Sequence, residues 1–327
     1  MHQISFPGLG IGEFTVKSEA FSLFGRSVAW YGVIITVGII CAYLYACRRG
    51  KQSEGIDPDT MTDLTFFTVI IGIIGARLYY VLFKLEEYKT FYDVIAVWNG
   101  GLAIYGGIIA GALTVIVFCK IRRLNVLKFL DAACPGVMIA QAIGRWGNFM
   151  NAEAYGSETE IFCRMGIRNV FGEVHYYHPT FFYESLWNVI GFVLINLFYK
   201  KKKFNGEICF AYFAWYGFGR MFIEGLRTDS LYLWHTGIRI SQVVGAVCFV
   251  VGLALILVFR KIGDRFALTR LSALVAAGAA AKDTAPEETG EAETTETMET
   301  METTETTETT DSGTTEESNG ENDGREN

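Results

Sequence analysis

Residues 144–156 read GRWGNFMNAEAYG, which sets Arg145, Asn148, Asn151 and Glu153 at the end of an otherwise apolar stretch. Lipid tolerates such groups poorly, so they are expected to be there for function. Two other apolar stretches carry an arginine, Arg77 and Arg220, and Arg220 starts a stripe with Glu224 and Arg227 at i, i+4 and i+7 of one helical face. A guanidinium in a dry pocket matches phosphate through paired hydrogen bonds, and a bilayer supplies phosphate in its headgroups. A phospholipid is therefore the expected ligand. No carboxylates and histidines stand at metal-ligand spacing, and no Ser or Cys stands beside a His as a nucleophile. Metal-dependent hydrolysis and covalent acyl-enzyme chemistry are not expected, no cofactor or nucleic acid is implied, and the attacking group must come from a second substrate.

The elements that hold these residues are read from composition. Hydrophobic residues make up 51% of the 327, mean hydropathy is +0.27, and apolar runs of about 20 residues recur. This is the pattern of an all-α polytopic membrane protein. Seven spans are expected, at roughly 27–47, 61–85, 101–119, 130–151, 179–199, 206–224 and 238–259. Basic clusters follow spans one (Arg48, Arg49, Lys51), three (Lys120, Arg122, Arg123), five (Lys200 to Lys203) and seven (Arg260, Lys261). The positive-inside rule then puts those ends in the cytoplasm, with the N-terminus outside and the C-terminus inside. No basic n-region leads into a cleavage site, so the first span is expected to be retained. The domain reading is a seven-helix catalytic domain over 1–265, a cytoplasmic linker over 266–282 and a disordered tail over 283–327. That tail holds sixteen Asp and Glu against one Arg, so the chain's net −7 conceals +8 on residues 1–282. Repeating Glu and Thr with almost no aliphatic side chain, it cannot bury enough surface to fold. Six of the seven cysteines lie in apolar stretches, which implies no disulfide framework.

With this topology Arg77, Arg145 and Arg220 fall at one depth, about 21–24 Å from the inner ends of spans two, four and six at 1.5 Å per residue. Tyr31, Tyr105 and His178 face the same outer zone, which is expected to open outward or laterally into the outer leaflet. Plainer readings exist for each. Arginines near helix ends snorkel, as Arg227 and Arg239 could, the Arg220–Glu224 stripe could be a strut, and His178 could simply precede Pro179 as a helix start. Asp63 and Asp131, at inner helix ends, read as structural. An anion or lipid transporter would need charge along a path to both faces, whereas here the middle of the spans carries little. A non-catalytic lipid-binding scaffold would leave the asparagines and Glu153 without purpose.

The motif at 144–156 resembles the signature of bacterial prolipoprotein diacylglyceryl transferases at Gly144, Arg145, Gly147, Asn148, Phe149, Asn151, Glu153 and Gly156. WYG at 30–32, GAR at 75–77, WNGGLAIYGG at 98–107, HPTFFYE at 178–184 and GRMFIEGLRTD at 219–229 are similar to further family blocks, over about 20–262 in order. The resemblance implies transfer of the diacylglyceryl group of phosphatidylglycerol to the lipobox cysteine of a prolipoprotein signal peptide, in the bacterial cytoplasmic membrane, with glycerol 1-phosphate released. It implies that Arg145 and Arg220 hold the phosphate, that Asn148 and Asn151 bind polar headgroup atoms, and that Glu153 and Glu224 orient the guanidiniums. Tyr31, Arg77, Arg227 and His178 would complete the lipid site. Many relatives carry a histidine, the favoured base, where this chain has Tyr105. On this reading Tyr105 joins Arg145 and Arg220 as a catalytic residue.

Overall fold

In the computed structural model the described residues are 1–283, apart from Phe24, Lys89, Leu231 and 233–236, with side chains as far as Gly263 except those of Glu87 and Asn99. The expected tail, from 284 onward, lies outside the described residues. Residues Met1–Ala273 form one compact unit.

Long apolar runs fold as helices because lipid offers the backbone no partners other than its own. The helices are α1 (Trp30–Arg49), α2 (Pro58–Phe83), a short α3 (Phe91–Ile95), α4 (Ile104–Ile121), α5 (Val126–Met150), α6 (Thr180–Tyr199), α7 (Glu207–Leu226) and α8 (Ile240–Asp283). Side-chain caps set the starts of two of the long helices. Asp57 accepts from the Asp59 and Thr60 amides at 3.0 and 3.4 Å, with Pro58 in the first turn, and Asn125 accepts from Leu127 and Lys128 at 2.9 and 3.2 Å. Among the described residues six helices are long and apolar enough to cross a membrane: α1, α2, α4, α5, α6 and α8 as far as Gly263. The seventh expected span, 206–224, exists as α7 but is not one of the six. Arg220 and Glu224 lower its hydropathy. At the other end the helical backbone of α8 continues to Asp283, through the stretch expected to be a linker.

The helices close into a bundle from one end. Ala46, Met61, Leu64, Val115, Cys119, Phe129 and Ala132 form a core that joins α1, α2, α4 and α5. Cys134, Met138, Ile195, Tyr199, Ile208, Cys209 and Tyr212 join α5, α6 and α7. Further along, α2 crosses α4 where Gly75 meets the backbone of Gly106. Gly106 thus serves helix packing.

Asp131, wholly buried on α5, accepts from the Gly206 and Cys209 amides at 2.7 and 2.9 Å. It caps α7 rather than its own helix. Lys202 reaches it at 3.0 Å and reaches Glu54 at 2.5 Å, while Tyr199 donates to the same Glu54 oxygen at 2.7 Å. Arg49 stacks over Tyr199 and donates to Tyr45 and Asn196. Asp63 pairs with Arg122 in the open, at 3.4 Å. The ends of α1, α4 and α6 that carry basic clusters therefore meet at one end of the bundle, and Arg260 of α8 reaches Glu207 at the start of α7 beside them.

The opposite end carries β-structure that the all-α expectation did not contain. Strands β1 (His2–Phe6), β2 (Ile11–Val16), β5 (Met165–Arg168) and β6 (Val174–Tyr177) form an antiparallel sheet in the order β2-β1-β5-β6, and β3 (Glu19–Leu23) pairs with β4 (Arg26–Ala29). Ile4, Val16 and Met165 of the sheet pack on Phe181, with Phe149 and Met150 alongside. The sheet thereby clamps the last turn of α5 to the first turn of α6, where the motif residues stand.

Candidate active site

The first-turn residues of α6 and the last turns of α5 and α7 converge on Glu184. Its side chain is only 7% exposed, and three guanidiniums surround it. Arg145 pairs with Oε2, Arg220 Nη1 lies 3.0 and 3.2 Å from the two oxygens, and Arg227 Nη1 lies 3.4 Å from Oε1. Arg220 also pairs with Glu224 at 2.7 Å, one turn on along α7, and Arg227 grips Asp229 with two bonds of 3.0 and 2.8 Å. That guanidinium holds the Asp229 carboxyl below the usual carboxylate range. Arg239 donates to the backbone carbonyl of Glu224, so neither Arg227 nor Arg239 points out as a lone snorkelling side chain.

The chain places this cluster through its connecting segment. The Ser157 amide donates to the Leu226 carbonyl at 2.7 Å, the Gly156 amide donates to His178 at 2.9 Å, and the His178 amide returns to Ser157 at 3.1 Å. One short segment thus ties the end of α7 to the entry of α6, which sets Arg227 beside Glu184. Thr180, fully buried, donates its hydroxyl to the Ala154 carbonyl.

The NAEA turn closes α5 as a Schellman motif: the Ala152 amide donates to Phe149 and the Glu153 amide to Asn148, both at 3.0 Å. The left-handed residue in such a cap is usually glycine. Here it is Ala152, at φ 48°, and Ala154 is left-handed too, at φ 56°. The strained turn folds Glu153 back so that it accepts from Asn148 Nδ2 at 2.9 Å and Asn151 Nδ2 at 3.4 Å. Glu153 therefore orients two amides rather than a guanidinium, and among the described residues it meets the arginines through Asn148, whose Oδ1 lies 3.4 Å from Arg145 Nη1. Glu224, by contrast, pairs directly with the Arg220 guanidinium.

Four other expected residues lie around this centre or apart from it. Tyr31, in the first turn of α1, packs its ring against Gly147, where a Cβ would come within 2.8 Å of it, so it lines the same turn of α5 as Asn148. Tyr105 is the second residue of α4 and 39% exposed. His178 Nδ1 lies 3.3 Å from the Tyr183 hydroxyl, which in turn lies 3.4 Å from the Cys163 thiol. Burial pushes the His178 imidazole below its usual value. Arg77 is engaged elsewhere: it donates to the carbonyls of Asp93, Val94, Gly100 and Gly101 at 2.6–2.9 Å and lies under Tyr88, which braces the connection between α2 and α4. The equal depth of the three arginines does not bring Arg77 to the other two.

Sequence reasoning missed Glu184 as a site residue. Its signal was available: an acidic side chain one turn inside an apolar span has the same cost in lipid as the arginines that were noticed. Asp229 was passed over in the same way. Among the described residues no three His, Cys, Asp or Glu side chains are grouped as a metal would need.

The arrangement can bind an anion. Arg220 bridges Glu184 and Glu224, Arg145 and Arg227 flank Glu184, and among the described residues Arg145, whose side chain is 23% exposed, makes one ion pair and one long bond while offering five donors. Comparison with known proteins decides what that site belongs to. Residues 18–258 match the model of the family described as prolipoprotein diacylglyceryl transferase. The chain belongs to this family. Relatives described as phosphatidylglycerol–prolipoprotein diacylglyceryl transferase, from Streptococcus pyogenes serotype M5 (strain Manfredo), serotype M49 (strain NZ131) and serotype M1, are each 44% identical over 241 residues, covering 72% of this chain and 92% of theirs. All the residues of the arginine cluster lie within the matched region, and the family membership makes the protein a transferase of lipoprotein maturation rather than a transporter.

Proposed function

We propose that this chain transfers the diacylglyceryl group of phosphatidylglycerol to the thiol of the lipobox cysteine in a prolipoprotein signal peptide, at the outer leaflet of the bacterial cytoplasmic membrane. The observation that carries the assignment of the site is the trio Arg145, Arg220 and Arg227 around Glu184, next to the amides that Glu153 holds.

The chemistry is a displacement at the glyceryl carbon. A sulfur–carbon bond forms, the bond from that carbon to the phosphate oxygen breaks, and glycerol 1-phosphate leaves with the electron pair. Charge grows on the phosphate as it leaves, and Arg145 and Arg220 stabilise it without a metal. Glu184 and Glu224 keep the guanidiniums aligned and reduce their mutual repulsion. Asn148 and Asn151 bond to the polar headgroup, Tyr31 closes the wall behind them, and Arg77 serves the site by bracing the segment that leads to Tyr105. The thiol must lose a proton, since a cysteine of ordinary pKa, about 8.5, is mostly protonated at neutral pH. Tyr105 donates a hydrogen bond to the headgroup, while the arginine field lowers the thiol's own pKa or His178, whose imidazole partial burial pushes below its usual value, takes the proton.

The arrangement in the membrane follows from the charges. All seven long helices cross, α7 included, because its polar face turns to Glu184 and its apolar face to lipid. The basic end is cytoplasmic. With native cysteines replaced, a cysteine at Glu160 should react with an impermeant reagent from outside and one at Lys201 should not. The reverse pattern overturns the placement.

Incubation of the purified protein with phosphatidylglycerol and a lipobox peptide tests the activity. A diacylglyceryl mass gain on the peptide thiol, with glycerol phosphate in solution, is the expected result. Bound lipid with no modified peptide would leave only a lipid-binding role.

A further inference from the structure

The contact between α6 and α7 is built as a reciprocal clasp. Trp187 of α6 donates its indole N–H to the Trp215 carbonyl at 3.0 Å, and Trp215 of α7 donates to the Trp187 carbonyl at 3.0 Å. The two rings stack with centroids 4.2 Å apart and planes at 13°. Each indole sits on the glycine one turn beyond its partner: a Cβ at Gly219 would lie 2.2 Å from Trp187 Nε1, and one at Gly191 would lie 2.2 Å from Trp215 Nε1. Both helices thus repeat one pattern, Trp-x-x-x-Gly, at 187–191 and 215–219, and the antiparallel crossing makes the two halves equivalent.

Glu184 stands three residues before Trp187, and Arg220 directly follows Gly219. The bonds from Arg220 to Glu184 span only 3.0–3.2 Å, while a slip of one helical turn moves a side chain by about 5.4 Å. Lipid-exposed helices have no hydrophobic drive toward one register over another, so polar contacts and small residues must choose it. We propose that Trp187 and Trp215, seated on Gly219 and Gly191, are positioning residues that lock α6 and α7 in the register where Arg220 meets Glu184 and faces the leaving phosphate. The proposal rests on the reading of Arg220 as a phosphate ligand.

The full-length protein in nanodiscs containing phosphatidylglycerol, assayed with a lipobox peptide, provides the test. Trp187→Phe and Trp215→Phe each keep an aromatic ring and remove one indole N–H. Each is expected to lower kcat roughly five-fold, the equivalent of one ordinary hydrogen bond, with KM for phosphatidylglycerol changed less. The deciding readout is a double-mutant cycle with Arg220→Lys. If the tryptophans act through Arg220, the effect of Trp187→Phe shrinks to below two-fold once Arg220 is Lys. Losses that multiply would mean that the clasp supports only the fold, and the proposal would be abandoned. Unchanged kcat in both single variants would also overturn it. Should Arg220→Lys alone have no effect, the phosphate reading fails instead, which keeps the two claims separable. Gly219→Ala is expected to cost far more, and Gly219→Ala with Trp187→Leu should recover part of the loss because the ring that the new methyl strikes is gone.

Discussion

The bundle holds two buried polar clusters, one at each end, and they are built on different principles. At the basic end, Asp131 accepts two amides and Lys202, and Glu54 accepts Tyr199 and Lys202, so the carboxylates are matched by donors from the protein itself. At the other end three guanidiniums share Glu184, and Arg145 keeps donor capacity that the described residues do not use. Closed networks fix helices, whereas open ones invite a ligand. The difference teaches which of two largely buried, charged clusters to read as a site. Unmatched donors distinguish them, and burial alone does not.

Breaking each cluster should therefore have opposite signatures. Arg220→Ala should cause the largest loss of activity, on the order of 1000-fold, because it removes a phosphate ligand and strands Glu224. Transfer of label to a lipobox peptide measures it, with thermal unfolding as the control for folding. Glu184→Gln comes next, at about 100-fold, since the guanidiniums lose the carboxylate that spaces them. By contrast Lys202→Met at the closed end should reduce stability by about 3 kcal/mol through the stranded Glu54 and Asp131, yet leave kcat of the folded fraction unchanged. A fall in kcat with Lys202→Met, or an undisturbed kcat with Glu184→Gln, would dissolve the distinction between the ends.

Smaller effects sharpen it. Tyr105→Phe should slow transfer about ten-fold without abolishing it, and Tyr105→His should stay active. Raising the pH should partly rescue the Phe variant by supplying thiolate directly. Complete loss across the pH range, with lipid still bound, would make the phenolate the base. The smallest expected effect lies in the α5 cap. Ala152→Gly relieves a left-handed alanine at φ 48° and should raise stability by about 0.5 kcal/mol in thermal unfolding, since part of the gain is offset by the flexibility of unfolded glycine.

Much of this was legible in the sequence, for identifiable reasons. Hydropathy marks helices because lipid forces backbone groups to pair within one segment, and the stripe of Arg220, Glu224 and Arg227 is visible because helical spacing is local. Glu184 was not read as the centre because its partners lie 36 to 43 residues along the chain, on other helices. The depth argument that united Arg77 with Arg145 and Arg220 used one coordinate of three, and it could not see that four carbonyls claim Arg77. The sheet escaped for a related reason: β1 finds β5 some 160 residues away, and neither strand is long enough to announce itself. Glu153 was given a guanidinium, but the left-handed alanines turn it back on its own amides.

The central claim is that the open cluster binds the phosphate of the lipid through paired guanidinium bonds, and Arg145→Lys addresses it most directly. The substitution keeps the charge and removes the planar fork. Single-turnover transfer from phosphatidylglycerol to a lipobox peptide, followed by the mass of the peptide, should fall at least 100-fold in Arg145→Lys while the variant unfolds at the same temperature as the parent. Transfer at close to the parental rate would contradict the account, because charge alone, or nothing at that position, would then be enough.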